Sequence, residues 1–394
     1  MKIKKPPAAK SGRIIILAPD SFKGSLDALA VAQAMERGIR RVMPRAALRL
    51  FPMADGGEGT LDAVLAARQG RRLEADVQGA DANRVTAAFG VLDTPGGPTA
   101  VLEAAQVVGS TLEAARLQPV ELRSSFGIGE LFRHCLDKGV RRFMIGLGGT
   151  STNDGGAGVL SALGVRLLDA GGGAVPPTPA GLASLAAVDF SGLDKRIKET
   201  EITLLSDVTN PLAGEAGATV VFGPQKGVTA AQVPELDARL RSFGELCDRW
   251  FGRKLSLEPG TGAAGGLGYV FQLLGAHNRS GAEVVCELFE FDTLLPQAEW
   301  VLTGEGHSNA QTLAGKAPYV VARQAQRYRV PVTLVSGGID RASLPQLVPH
   351  FTGCFSIMFA PTSLSEAICQ APELIADCVE QLARLRQTFT SIHS

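Results

Sequence analysis

Short apolar runs alternate with helical patterns at both ends of this chain, and nearly every run stops at a cluster of glycine and polar residues. IIILAP (14–19), ALRLFPM (47–53), EWVLTG (299–304), PVTLVSGG (331–338) and CFSIMFAP (354–361) have the length and apolar content of strands, and IIILAP suits one buried on both faces. Between them, Leu26, Leu29, Met35, Ile39 and Val42 recur at helical spacing behind Ser25, a candidate N-cap, and LDAVLAARQG (61–70) forms a second helix closed by glycine. Further helices are expected near 315–328, 341–348 and 362–391. Strands and helices in alternation close most simply as a parallel sheet covered by helices.

The middle of the chain reads differently. DVQGA, VTAAFGVLD and TAVLEAAQVV surround the turn signal TPGGPT (94–99), which predicts an antiparallel hairpin. A helix at about 124–138, strands at RRFMIGL (141–147), ITLLS (202–206) and ATVVF (218–222), a loop over 171–181 and a long helix near 230–250 complete the block. The expected organisation is α/β: a doubly wound parallel-sheet domain built from 14–73 and 285–394, with a second α/β domain inserted at 74–284. MKIKKPPAAKSGR, the first thirteen residues, carries five positive charges and reads as a flexible basic tail.

Thirty-nine basic and thirty-nine acidic residues cancel, which argues against nucleic acid as a partner. No stretch approaches the ~20 apolar residues of a membrane span. The six cysteines are dispersed, with neither C-x-x-C nor metal-ligand spacing, so reduced thiols and a cytoplasmic location are expected. Glycine is the outlier, 46 of 394 residues against a usual ~7%.

Those glycines mark the candidate chemistry, because in doubly wound sheets ligands sit beyond the carboxyl ends of the strands. APDSFKGS (18–25) gathers Asp20, Ser21 and Lys23 at a strand-to-helix corner. ADGGEGT (54–60) holds Asp55 and Glu58 among three glycines. GLGGTSTNDGGAG (146–158) is the densest cluster, where Gly148, Gly149, Thr150, Ser151, Asn153 and Asp154 suit a phosphate chain or a carboxylate. SDVTNPL presents Asp207 and Asn210, and FGPQKG presents Gln225 and Lys226. GTGAAGGLG (260–268) contains Gly262 and Gly265 in a formal G-x-G-x-x-G, but KLSLEP before it is a poor dinucleotide strand. After EWVL come Glu305, His307, Gln311 and Lys316. Gly315-Lys316 lacks the Ser/Thr and first glycine of a Walker A loop. Anion-binding loops, lysines and isolated carboxylates are the inventory of phosphoryl transfer.

These seven blocks, in this order from residue 17 to 318, resemble the signature blocks of bacterial glycerate kinases. The resemblance implies ATP and Mg²⁺ as co-substrates and D-glycerate as acceptor, with 2-phosphoglycerate favoured over 3-phosphoglycerate as product. It also implies a flavodoxin-like domain and an active site in the cleft between it and the inserted domain. On this reading Asp207, Lys23 and Asp20 are catalytic, Asp207 is the base, Asp207 and Glu305 are the candidate Mg²⁺ ligands, and the remaining residues bind substrate or nucleotide, apart from His307, which reads as a surface-loop histidine. One departure stands out: the family's aspartate three residues after TGEG is replaced here by Asn309. That substitution motivates an alternative, a catalytically impaired paralogue that binds glycerate or a nucleotide. The oligomeric state is left open, with a homodimer among the options.

Overall fold

The computed structural model describes residues 14–113 and 117–392. The basic tail lies outside the described residues. The chain divides into two compact units: one made of the chain up to Ala54 together with the chain from Val285 on, the other of Asp55–Val284.

The first unit is a five-stranded parallel sheet in the order Gly353–Ser356, Val332–Ser336, Ala298–Thr303, Ile14–Leu17, Ala47–Leu50. Numbered along the unit this is 2-1-3-4-5, the flavodoxin-like order. Ile15 and Leu17 face a core shared with Met35, Ile39, Trp300, Leu302, Ile375 and Val379. Ile14 and Ile16 point to the opposite face and are also buried. The apolar run reads as a strand covered on both sides for this reason. Helices Ala28–Val42 and Leu364–Ile392 pack closely because Gly38 leaves room: a Cβ there would lie 2.4 Å from Ala376 O.

The second unit holds a six-stranded mixed sheet: His277–Arg279, Glu201–Leu205, Arg142–Gly146, Gly97–Glu103, Arg84–Thr94, Gly70–Gln78. The first four are parallel neighbours and the last three form antiparallel pairs, including the hairpin expected at TPGGPT. Phe132 of helix Phe126–Asp137 stacks on Phe143 of the sheet with ring centroids 3.9 Å apart.

Three expectations are corrected. The unit boundary falls at residue 55 rather than 74, since helix Thr60–Ala67 belongs to the second sheet: Leu61 and Leu65 lie over Gly90, and Glu103 accepts the N–H groups of Gly59 and Leu61. ATVVF is a short helix, Ala218–Phe222. Its β-branched content suggested a buried strand, yet Ala218 and Thr219 are buried as a pair while Val220 and Val221 are exposed, so tertiary context overrides propensity. Asp27, not Ser25, caps the first helix, accepting Ala30 N at 2.7 Å. The chain first closes a tight turn from Phe22 to Leu26 through Gly24 (φ +78°), and Ser25 donates instead to Ile368 O. No described helix is long and apolar enough to cross a membrane.

Candidate active site

In the unit made from both chain ends, sheet order reverses between Ile14–Leu17 and Ala298–Thr303, which opens the crevice where doubly wound folds bind ligands. The two strand ends are stitched there: Ala18 N donates to Leu302 O and Asp20 N to Gly304 O, both at 2.8 Å, and Thr303 Oγ1 donates to Ala18 O at 2.8 Å. Asp20 is buried and takes Ser21 N on Oδ1 at 2.7 Å. Ser21 Oγ is buried without a partner, and Lys23 stands exposed on the tight turn.

Glu305 emerges from the neighbouring strand end and is nearly enclosed. Oε1 accepts Ser308 Oγ at 3.0 Å and Thr312 Oγ1 at 2.5 Å, while Oε2 takes Lys316 Nζ at 3.0 Å. Both oxygens are therefore committed to the chain itself. Asn309 Oδ1 accepts Gln311 N at 2.9 Å and Thr312 Oγ1 accepts Asn309 N at 3.1 Å, a capping box for the short turn Ala310–Leu313. His307 is exposed on a two-residue strand, and Gln311 is exposed beside the cap.

In the 55–284 unit the parallel strands end together, so their loops share one edge. Gly148 N donates to Gly56 O at 2.9 Å, which draws ADGGEGT against the glycine-rich loop. Gly56 holds φ +100° and a Cβ there would lie 2.1 Å from Leu205 O, so glycine is required. Asp55 Oδ1 takes Gly57 N at 3.2 Å, and Glu58 accepts Thr111 Oγ1 beside Gly149. Asp207, at the end of Glu201–Leu205, has one carboxylate oxygen, Oδ2, buried and unpartnered. Burial pushes this carboxyl up to about 6; a Ser280 hydrogen bond opposes the rise, and the charges of Asp55 and Glu283 add to it.

Asp154 is fully buried and works as an internal brace, with Ser125 N at 2.7 Å, Ser125 Oγ at 2.8 Å, Gly156 N at 3.1 Å and Gly158 N at 3.2 Å around it. Burial pushes its carboxyl up while these four donors pull it back. Asn153 Nδ2 donates to Thr219 Oγ1 at 2.9 Å, but Asn153 Oδ1 and Thr152 Oγ1 are buried without partners. Asn210 spends its amide on Ala216 O. Gly262 and Gly265 are explained by backbone approach, since a Cβ would meet Pro211 O at 2.3 Å and Thr152 O at 2.1 Å respectively. Gln225, exposed, and Lys226, buried, line a cavity of about 630 Å³ with Ser110, Arg123 and Ser151. Sequence reasoning did not single out Arg123, Ser125 or Ser280, which lie outside any glycine cluster.

The glycerate kinase family model matches residues 15–387, across both units. The chain belongs to the glycerate kinase family. It is 40% identical to a glycerate kinase of Bacillus subtilis (strain 168) over 94% of this chain and 96% of that one. It is 38% identical to a glycerate 2-kinase of Escherichia coli (strain K12) over 92% and 97% of the two chains. A crystal structure assigned as glycerate kinase 2 from Salmonella typhimurium LT2 superposes with a TM-score of 0.81 at 38% identity, covering 97% of this chain and all of that one.

Proposed function

We propose that this chain transfers the γ-phosphoryl group of ATP to a hydroxyl of D-glycerate in the cytoplasm, with 2-phosphoglycerate as product. One observation carries the reading. Four side-chain atoms are buried without a partner among the described residues, Ser21 Oγ, Thr152 Oγ1, Asn153 Oδ1 and Asp207 Oδ2, and all four lie in loops that follow strand ends. Buried polar atoms ordinarily find partners, so orphans gathered in ligand-binding loops fit groups that a ligand completes. The E. coli relative's name, glycerate 2-kinase, supports the regiochemistry.

Roles follow from the environments. Asp207 takes the proton from the acceptor hydroxyl, its free oxygen and raised pKa suiting a base. Lys23 neutralises charge on the transferring phosphoryl, with Asp20 and Ser21 fixing its turn. The glycine-rich loop supplies donors to anionic oxygens. Glu305 holds Lys316 and the 308–312 segment.

Mg²⁺ ordinarily uses one or two protein carboxylates and completes its shell with phosphate and water. Among the described residues no cluster of three or more His, Cys, Asp or Glu could hold a metal. Asp55, whose Oδ1 accepts only Gly57 N among the described residues, is the carboxylate that fits it, whereas Asp207 serves as the base and the oxygens of Glu305 are taken. Bound there, the ion would neutralise charge on the phosphates.

The alternative of an impaired paralogue rested on Asn309, whose side chain caps the turn Ala310–Leu313. Phosphorus NMR of the product tests the proposal: a 2-phosphoglycerate resonance is expected, and 3-phosphoglycerate would overturn the regiochemistry.

A further inference from the structure

Two buried cations grip the back of the glycine-rich loop by its carbonyls. Arg123, 5% exposed, donates from Nη1 to Ser151 O at 3.1 Å and Lys226 O at 2.9 Å, and from Nε to Gln118 O at 2.8 Å. Lys226, 6% exposed, donates from Nζ to Thr152 O at 2.7 Å. In a planar trans peptide the next N–H points opposite to the carbonyl. With Ser151 O and Thr152 O turned to the cations, the N–H groups of Thr152 and Asn153 are turned away from them. Among the described residues these two N–H groups find no acceptor, beside the orphan Thr152 Oγ1 and Asn153 Oδ1. Gly265 fixes the slot, because a Cβ there would lie 2.1 Å from Thr152 O and 2.9 Å from Lys226 Nζ.

We propose that Lys226 is a positioning residue with a protonation switch: its ammonium, bound to Thr152 O, turns the Thr152 and Asn153 amides toward an anionic group of glycerate or nucleotide, and loss of the proton loosens that loop. The inference rests on the kinase reading of the loop. The charged groups that face Lys226 are Asp154, which favours the ammonium, and Arg123, which opposes it; Glu121 shares the cavity wall. Burial, aided by Arg123, outweighs Asp154 and pulls Lys226 down to about 7. Below that pH the ammonium is present and the loop is set. Above it the neutral amine makes an uncharged hydrogen bond, about half as strong.

The test is calorimetric titration of the full chain with ATP and with D-glycerate, separately, from about pH 6 to about pH 9. Wild type, Lys226→Arg and Lys226→Met are compared, with thermal unfolding of each. Wild-type affinity for one of the two ligands should fall roughly tenfold across the range, as one charge-assisted bond becomes an ordinary one. That ligand is then the one the loop holds. Lys226→Arg, charged throughout, should not show the fall, and folded Lys226→Met should bind weakly at every pH. The ligand's own titration is common to all three proteins. An undiminished fall in Lys226→Met, or wild-type affinity in it at pH 6, overturns the inference even if Arg does not fit the slot. Absence of turnover with the Lys226-dependent fall intact would strike only the kinase reading.

Discussion

Lys316 Nζ donates to Glu305 Oε2 at 3.0 Å while the other carboxylate oxygen takes two hydroxyl groups, so one buried acid ties the strand end at 303 to the helix that begins at 317. Glu305→Gln keeps the shape but removes the charged acceptor. A loss of about 1–3 kcal/mol is expected, the cost of weakening hydrogen bonds to a buried charged group. Urea unfolding checks it: the midpoint should fall at unchanged slope, and an unshifted midpoint would show that the carboxylate does not brace this segment.

Asn309 separates a capping role from a catalytic one. Aspartate caps as well as asparagine, so Asn309→Asp should leave kcat within tenfold of wild type. Asn309→Ala should lose about 1 kcal/mol of stability. A rise in kcat above tenfold in Asn309→Asp would mean that the position takes part in proton transfer.

Much of this was legible before any coordinates. The strand-and-helix alternation of the chain ends gave the doubly wound sheet because IIIL is buried on both faces, and a strand so placed needs no polar alternation. Glycine clusters located the strand-end loops because close backbone approach leaves a composition signature, as Gly56 and Gly265 show. What stayed hidden depends on long-range packing. The helix at 218–222 arises from β-branched residues whose pairing of buried and exposed positions only the fold sets. Asp154 and Glu305 look like ligand-facing acids in sequence, and their donors come from Ser125, 29 residues away, and from Lys316, 11 residues away.

Lys23 stands exposed on the turn after the first strand, with Gly24 at φ +78° shaping that turn. Lys23→Ala should cost about 2–4 kcal/mol of transition-state stabilisation, the range for losing one electrostatic donor. Steady-state kinetics read this as lowered kcat/KM with the melting temperature unchanged. Wild-type kcat/KM would remove Lys23 from the mechanism.

Asp207 must be ionised to accept a proton. Its pKa of about 6 therefore predicts that kcat/KM falls as pH drops below about 6 and is level just above it. Stability should move the other way. The folded carboxyl is raised from its ordinary 3.8, so this group's contribution is full below that value and is lost as pH rises through about 6. Asp207→Asn should accordingly lower kcat by ~10²–10⁴-fold, while the melting temperature at pH 7 is unchanged or higher. A melting temperature lowered by many degrees would assign Asp207 a structural role.

The central claim is ATP-dependent phosphorylation of D-glycerate, and a coupled assay of ADP release by the purified chain tests it most directly. With ATP and Mg²⁺ present, ADP should form only on addition of D-glycerate, and Asp207→Asn should slow that glycerate-dependent release by ~10²–10⁴-fold. ADP formation indifferent to D-glycerate, or none at saturating ATP, Mg²⁺ and D-glycerate, would contradict the account.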